Sequence, residues 1–166
     1  MKVLVTGVGG QLGYDVMNEL IKRGHTAIGS DILDSVPQAY EYMKLDITSK
    51  ADVTSTIKNI KPDAVIHCAA WTAVDAAEDE ENQPKVFAIN RDGTRNIAEA
   101  CKSVDCKMIY ISTDYVFDGQ GERPWQQMIR TMLRFVYMAS PSLRASLLCP
   151  KFWTNTLSCV LLGCSE

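Results

Sequence analysis

The sequence predicts a doubly wound α/β fold, a parallel sheet covered by helices on both faces. Three observations carry that expectation. Short apolar runs rich in β-branched residues alternate with stretches of helical period along the first 125 residues. The first run, Lys2–Thr6, is continuously apolar after its lysine instead of alternating, as suits a strand buried on both faces. A glycine-rich segment, residues 7–13, stands directly between that run and the first helical stretch. Strands alternating with helices build parallel crossovers, so the helices must lie over the sheet.

The elements follow in order. After the glycines, Leu12, Val16, Leu20 and Ile21 recur at helical spacing, and Gly24 behind Lys22 and Arg23 is a stop signal. Residues 25–29 read as a second strand that ends at Ser30 and Asp31, and residues 43–46 as a short third one. Residues 51–60 put Val53, Ile57 and Ile60 on one helical face, and Pro62 blocks continuation. Residues 64–68 form a fourth apolar run. A long amphipathic helix is expected over 82–103, carrying Val86, Phe87, Ile89, Asn90, Ile97 and Ala98, and residues 108–111 make a fifth strand.

A chain of 166 residues fits one domain. Its net charge of -3 is too mild to favour nucleic acid or an anionic membrane surface as partner. No stretch approaches the roughly 18–20 apolar residues of a membrane span. Met1 and Lys2 run straight into the first strand without a leader, so a cytoplasmic protein is expected. Six cysteines include no C-x-x-C pair, and His25 and His67 are the only histidines. Reduced, mostly buried thiols are expected, with no metal site.

The chain changes character near Trp125. Residues 1–125 hold 19 of the 20 acidic and 13 of the 17 basic residues, whereas 126–166 hold a single acid, Glu166. That tail shows neither period, and Pro141 and Pro150 interrupt it. Two segments are therefore expected, a nucleotide-binding domain over 1–125 and an atypical tail over 126–166, so the α/β fold is incomplete at its C-terminus.

Gly7, Gly10 and Gly13 give G-x-x-G-x-x-G between a strand and a helix. A dinucleotide pyrophosphate needs close backbone approach at a helix N-terminus, where unpaired N–H groups and the helix dipole favour anions. Side chains at these positions would block that approach or the packing of helix on strand. The pattern is that of a Rossmann-type fold. Asp31 follows Gly13 by 18 residues, at the end of the second strand. A carboxylate there accepts hydrogen bonds from the adenosine ribose and repels a 2′-phosphate, which favours NADH over NADPH. Asp34 stands close by as a second candidate, and either cofactor is carried forward.

Several segments together resemble the extended short-chain dehydrogenase/reductases, and within them the dTDP-4-dehydrorhamnose reductases. They are T-G-x-x-G-Q-L-G at 6–13, L-D-I at 45–47 and V-I-H-C-A-A-W-T-A-V-D-A-A-E at 65–78, with N-R-D-G-T-R-N-I-A at 90–98 and Y-I-S-T-D-Y-V-F-D-G at 110–119. The resemblance implies that Gln11 and Leu12 cover the cofactor pyrophosphate and that Asp46 and Ile47 flank the adenine. It implies that Ala69, Ala70, Trp71 and Thr72 run along the nicotinamide side. Asn90 matches a helix asparagine that supports the site, although it also suits a plain bridge between helices. Thr113 matches a hydroxyl that bonds the sugar carbonyl, with Asp114 beside it against a dTDP-4-keto sugar, although Thr113 also suits a simple strand end.

The implied reaction is hydride transfer from the nicotinamide to a C4 ketone, as in dTDP-rhamnose biosynthesis. In the family a tyrosine gives the proton, and a lysine four residues later lowers its pKa. No Y-x-x-x-K follows Thr113. Tyr137 falls 24 residues after Thr113, where the family places its tyrosine, but Pro141 takes the lysine position. A frameshifted reading accounts for this. Codons compatible with residues 126–151, read from each third base, permit A-N-D-K-D-Y-A-P-L-R-V-Y-G-K-S-K-L-K-G-E-L-A-V. That string restores Y-G-K-S-K, then L-K-G-E. On this reading the chain is an inactive reductase fragment. Its rivals are a non-catalytic dinucleotide-binding subunit and a fragment of a nucleotide-sugar epimerase or dehydratase.

Overall fold

The computed structural model describes residues 1–37, 39–113 and 157–162. Its strands are β1 (Lys2–Thr6), β2 (Thr26–Asp31), β3 (Glu41–Lys44), β4 (Ala64–His67), β5 (Lys107–Thr113) and β6 (Leu157–Leu162). Its helices are α1 (Gln11–Lys22), α2 (Lys50–Ile60), α3 (Val74–Glu78), α4 (Gln83–Val86) and α5 (Thr94–Ser103), and a π-helical segment, Phe87–Gly93, joins α4 to α5. The strands form one parallel sheet in the order β3-β2-β1-β4-β5-β6. This is the doubly wound order, and its winding reverses between β1 and β4.

Two cores explain the apolar run Val3–Val5 in β1. Successive side chains of a strand point to opposite faces. Leu4 joins Ile28, Val65 and Met108 against Val53 and Ile57 of α2 and Ile97 and Cys101 of α5. Val3 and Val5 point the other way and pack with Val8, Ala27 and Met17 of α1. Both clusters are buried, so neither face of β1 meets water.

The expected first, second, fourth and fifth strands and first two helices stand within two residues of their predicted ends. The third strand lies two residues earlier than expected, at Glu41–Lys44. It pairs with β2 from Ile28↔Glu41 to Asp31↔Lys44 and stops where β2 stops, so Leu45 turns into the core and Asp46 opens a turn. The expected helix over 82–103 is continuous from Gln83 to Ser103, but its middle is π-helical. A hydrophobic period of 3.6 does not report such a segment. The five-residue α3 was not expected, being too short to show a period.

β6 lies in the tail for which no element was expected. It runs parallel to β5 from Met108↔Leu157 to Thr113↔Leu162. An apolar run of six residues is ambiguous on its own, and pairing with β5 decides its state. Asp114, Tyr137 and Pro141 lie outside the described residues. Among the described residues no helix is long and apolar enough to cross a membrane, and no His, Cys, Asp and Glu cluster is arranged to hold a metal ion.

Candidate dinucleotide-binding site

The reversal of winding brings two loops together at the carboxyl ends of β1 and β4, whose last residues are in register, Thr6↔His67. One is the glycine loop. Gly7 adopts φ +75 and donates from its N–H to the Ser30 carbonyl at 2.8 Å. A Cβ on Gly7 would lie 2.5 Å from the Ala69 nitrogen, so the second loop, residues 69–72, is pressed directly on the first. A Cβ on Gly13 would strike the Gly7 carbonyl. Gly7 and Gly13 are therefore glycines for internal packing.

Gly10 is different. A Cβ there would meet only the Gly7 oxygen, at an ordinary 3.5 Å, and its φ of -89 is open to any residue. Nothing inside the protein requires a glycine at this position. It is the N-cap of α1 and offers no side chain to cap that 12-residue helix, and a Cβ here would enter open space at the helix's first turn. That is a cradle suited to a phosphate, and the residues present fit a dinucleotide pyrophosphate. Gln11 and Leu12 are exposed on its rim.

Asp31 ends β2 beside this loop. Its Oδ2 accepts from the Gly9 N–H at 2.9 Å, and its Oδ1 accepts from the Ile32 N–H at 2.8 Å. The carboxylate thus braces the glycine loop as well as lying at the sheet's end. A carboxylate offers about four acceptor sites, so this bracing leaves capacity for a ribose. Asp34 is held instead by Lys44 at 2.6 Å, which keeps its carboxyl below the usual carboxylate range. Asp46 accepts from the N–H and hydroxyl of Thr48 at 2.9 and 2.7 Å, which fixes the turn before α2. Ile47 is buried in the core and packs against Gly93.

The second loop is held from the helix side. Asn90, within the π-helical segment, accepts from the Trp71 N–H at 2.7 Å and donates to the Trp71 carbonyl at 3.1 Å. One side chain therefore clamps both backbone groups of the residue. Ala70 and Thr72 are exposed on either side, and the Trp71 ring packs toward Val74, Ala77 and Val86. The structure brings Gly7, Gly10, Gly13, Asp31, Ala69, Trp71 and, through Trp71, Asn90 into one region. Thr113 is the last residue of β5.

Beneath the two loops lies a buried polar cluster that sequence reasoning missed. Thr6 Oγ1 lies 2.7 Å from His67 Nδ1, and His67 Nε2 lies 3.1 Å from Thr94 Oγ1. Burial holds the imidazole pKa down to about 4, so His67 is neutral near pH 7. A polar residue inside an otherwise apolar strand was the available signal. Its partners are 61 and 27 residues away, which no local pattern reports. Cys68, next along, has its thiol pushed up to about 11 by burial and is no thiolate nucleophile near neutrality.

Comparison with known proteins agrees with this geometry. The family profile described as the RmlD substrate binding domain matches residues 1–139. The chain belongs to this family. A dTDP-4-dehydrorhamnose reductase of Streptomyces griseus is 40% identical to this RmlD-family chain over 136 residues, 81% of the chain and 40% of that protein. The solved dTDP-4-dehydrorhamnose reductase of Clostridium acetobutylicum matches it with a TM-score of 0.83 and 32% identity, covering 97% of this chain and 52% of that one. The reductase of Bacillus anthracis, solved in complex with NADP, matches with a TM-score of 0.83 and 29% identity over 98% of this chain and 53% of its own. The RmlD-family chain thus spans about half the length of these solved relatives and less of the Streptomyces protein.

Proposed function

We propose that the chain is the cofactor-binding half of a reductase that transfers hydride from NADH or NADPH to the C4 ketone of a dTDP-4-keto-deoxysugar. The observation that carries this reading is the meeting of the glycine loop with residues 69–72 at the reversal of winding, with an open cradle at Gly10. In this reading Gly10, Gln11 and Leu12 bind the pyrophosphate, Asp31 binds the adenosine ribose, and Asp46 and Ile47 shape the adenine end. Residues 69–72, clamped by Asn90, orient the nicotinamide. Thr113 and Asp114 are assigned to the sugar in the same reading. The bound cofactor supplies the hydride.

The ketone carbon takes that hydride and its oxygen takes a proton. A phenol of pKa about 10 needs a neighbouring cation to give that proton readily near neutrality. Pro141 offers none at the position where the family carries its lysine. The proposal therefore separates binding from turnover: this chain binds the cofactor and does not reduce the sugar. The out-of-frame reading of residues 126–151 supports loss of the pair from a catalytic ancestor. Absence of the pair also favours a second reading, a dinucleotide-binding subunit without catalysis.

Titration with NADPH and NADH, followed by an assay with dTDP-4-dehydrorhamnose, tests the proposal. Saturable nicotinamide fluorescence without turnover is expected. Lack of binding to either cofactor would overturn it, and turnover would overturn the requirement for the missing lysine. The nucleotide sequence around codon 125 separates the two readings. An open frame one base out of register, encoding Y-x-x-x-K, supports the reductase fragment; its absence supports the binding subunit.

A further inference from the structure

We propose that His67 is a positioning residue, a neutral imidazole protonated on Nε2 that locks the glycine loop and the nicotinamide-side loop at a set spacing. The inference rests on the dinucleotide reading above for its ligand, but the relay itself is read from hydrogen bonds. Thr94 has one hydroxyl proton, and it donates that proton to the Asn90 carbonyl at 2.9 Å. Thr94 Oγ1 must then accept from His67, so Nε2 carries the imidazole proton and donates at 3.1 Å. Nδ1 is left as an acceptor, and the Thr6 hydroxyl donates to it at 2.7 Å. Thr6 Oγ1 in turn accepts from the Ala69 N–H at 3.4 Å. Every proton in the chain has one place to go.

The relay connects the elements that form the site. Thr6 immediately precedes Gly7. Ala69 begins the second loop, and Asn90 clamps Trp71 at its centre. Thr6 and His67 are each 1% exposed, Thr94 3% and Asn90 4%, so water does not substitute for a lost partner without rearrangement. The Tyr110 ring lies beside the imidazole, with 6.1 Å between centroids. The Thr94 bond also ties the relay to the carbonyl of the residue whose side chain holds Trp71. Loss of the Thr94 hydroxyl therefore acts on the nicotinamide end, whereas the Gly10 cradle stays intact.

The test uses the full chain with ¹⁵N-labelled histidine, and its ligands are NADH and ADP-ribose, which is NADH without the nicotinamide. The expected spectrum shows His67 with its proton on Nε2 at pH 7. Thr94→Val is expected to weaken NADH about tenfold and leave ADP-ribose within about twofold, and Thr94→Ser is expected to restore NADH binding. A general loss of structure would weaken both ligands alike. An Nδ1–H tautomer, equal weakening of both ligands, or no effect of Thr94→Val would overturn the proposal. Failure of the unaltered chain to bind either ligand would overturn the dinucleotide reading instead. The tautomer, measured without ligand, would still decide for or against the relay.

Discussion

Glycines that look alike in sequence carry different burdens. Gly13→Ala drives a Cβ into the Gly7 backbone, which cannot swing aside as a side chain would. It is expected to destabilise the fold by about 3 kcal/mol or more, read from the urea midpoint. Gly10→Ala meets no obstacle and is expected to stay within about 1 kcal/mol of the parent, yet to weaken NADPH about tenfold. Equal stability losses at the two sites would contradict the division between packing and ligand-facing glycines. His67 also makes the stability depend on pH. Its folded pKa of about 4 lies below the ordinary value of 6.5, so the unfolded chain binds the proton first as pH falls. Stability is complete above pH 6.5 and is lost toward pH 4, by about 3 kcal/mol in all. His67→Gln removes that dependence, and urea unfolding between pH 7 and 4 compares the two proteins. The sequence displayed the glycines and Asp31 clearly, because their meaning lies in spacing along the chain. It did not display the relay, whose members meet only after β1, β4 and α5 have packed.

At the level of elements, strands and helices were legible wherever burial imposed a period. The continuous apolar run Val3, Leu4 and Val5 announced a strand with two covered faces, and Val53 and Ile57 announced one buried face of α2. The π-helical segment was illegible, since it is defined by backbone hydrogen bonds and not by apolar spacing. Such segments occur often at functional sites, and this one carries Asn90. Asn90→Ala removes the acceptor for the Trp71 N–H and the donor to its carbonyl. We expect a loss of about 1–3 kcal/mol, a shift in Trp71 fluorescence and weaker NADPH binding. Unchanged Trp71 emission would mean that the loop is held by other contacts. Farther along the same helix, Asn96 donates to the carbonyls of Ile47 and Thr48 at 3.0 and 3.3 Å. Asn96→Leu is expected to lose a similar amount of stability with ADP-ribose affinity reduced, because it frees the turn that carries Asp46.

For the molecule as a whole, the boundary near Trp125 has the widest consequence. The first 125 residues hold the glycine loop and five of the six described strands, and the family profile extends to residue 139. Composition then changes within a few residues. On the frameshift proposal, restoring the frame so that Y-G-K-S-K follows at its family position is expected to confer reduction of dTDP-4-dehydrorhamnose. A restored protein that binds NADPH and still fails to turn over would show that the lysine was not the missing part.

The central place of β1 also sets a timetable for synthesis. β1, made before both of its neighbours, is flanked by β2 on one side and by β4 on the other. β4 is made about 60 residues later, which at about 5–20 residues per second leaves one edge of β1 unpaired for about 3 to 12 seconds. The Gly10 cradle therefore exists as sequence well before it exists as a shape. Its floor is complete only when His67 stands between two threonines, Thr6 made 61 residues before it and Thr94 made 27 residues after it.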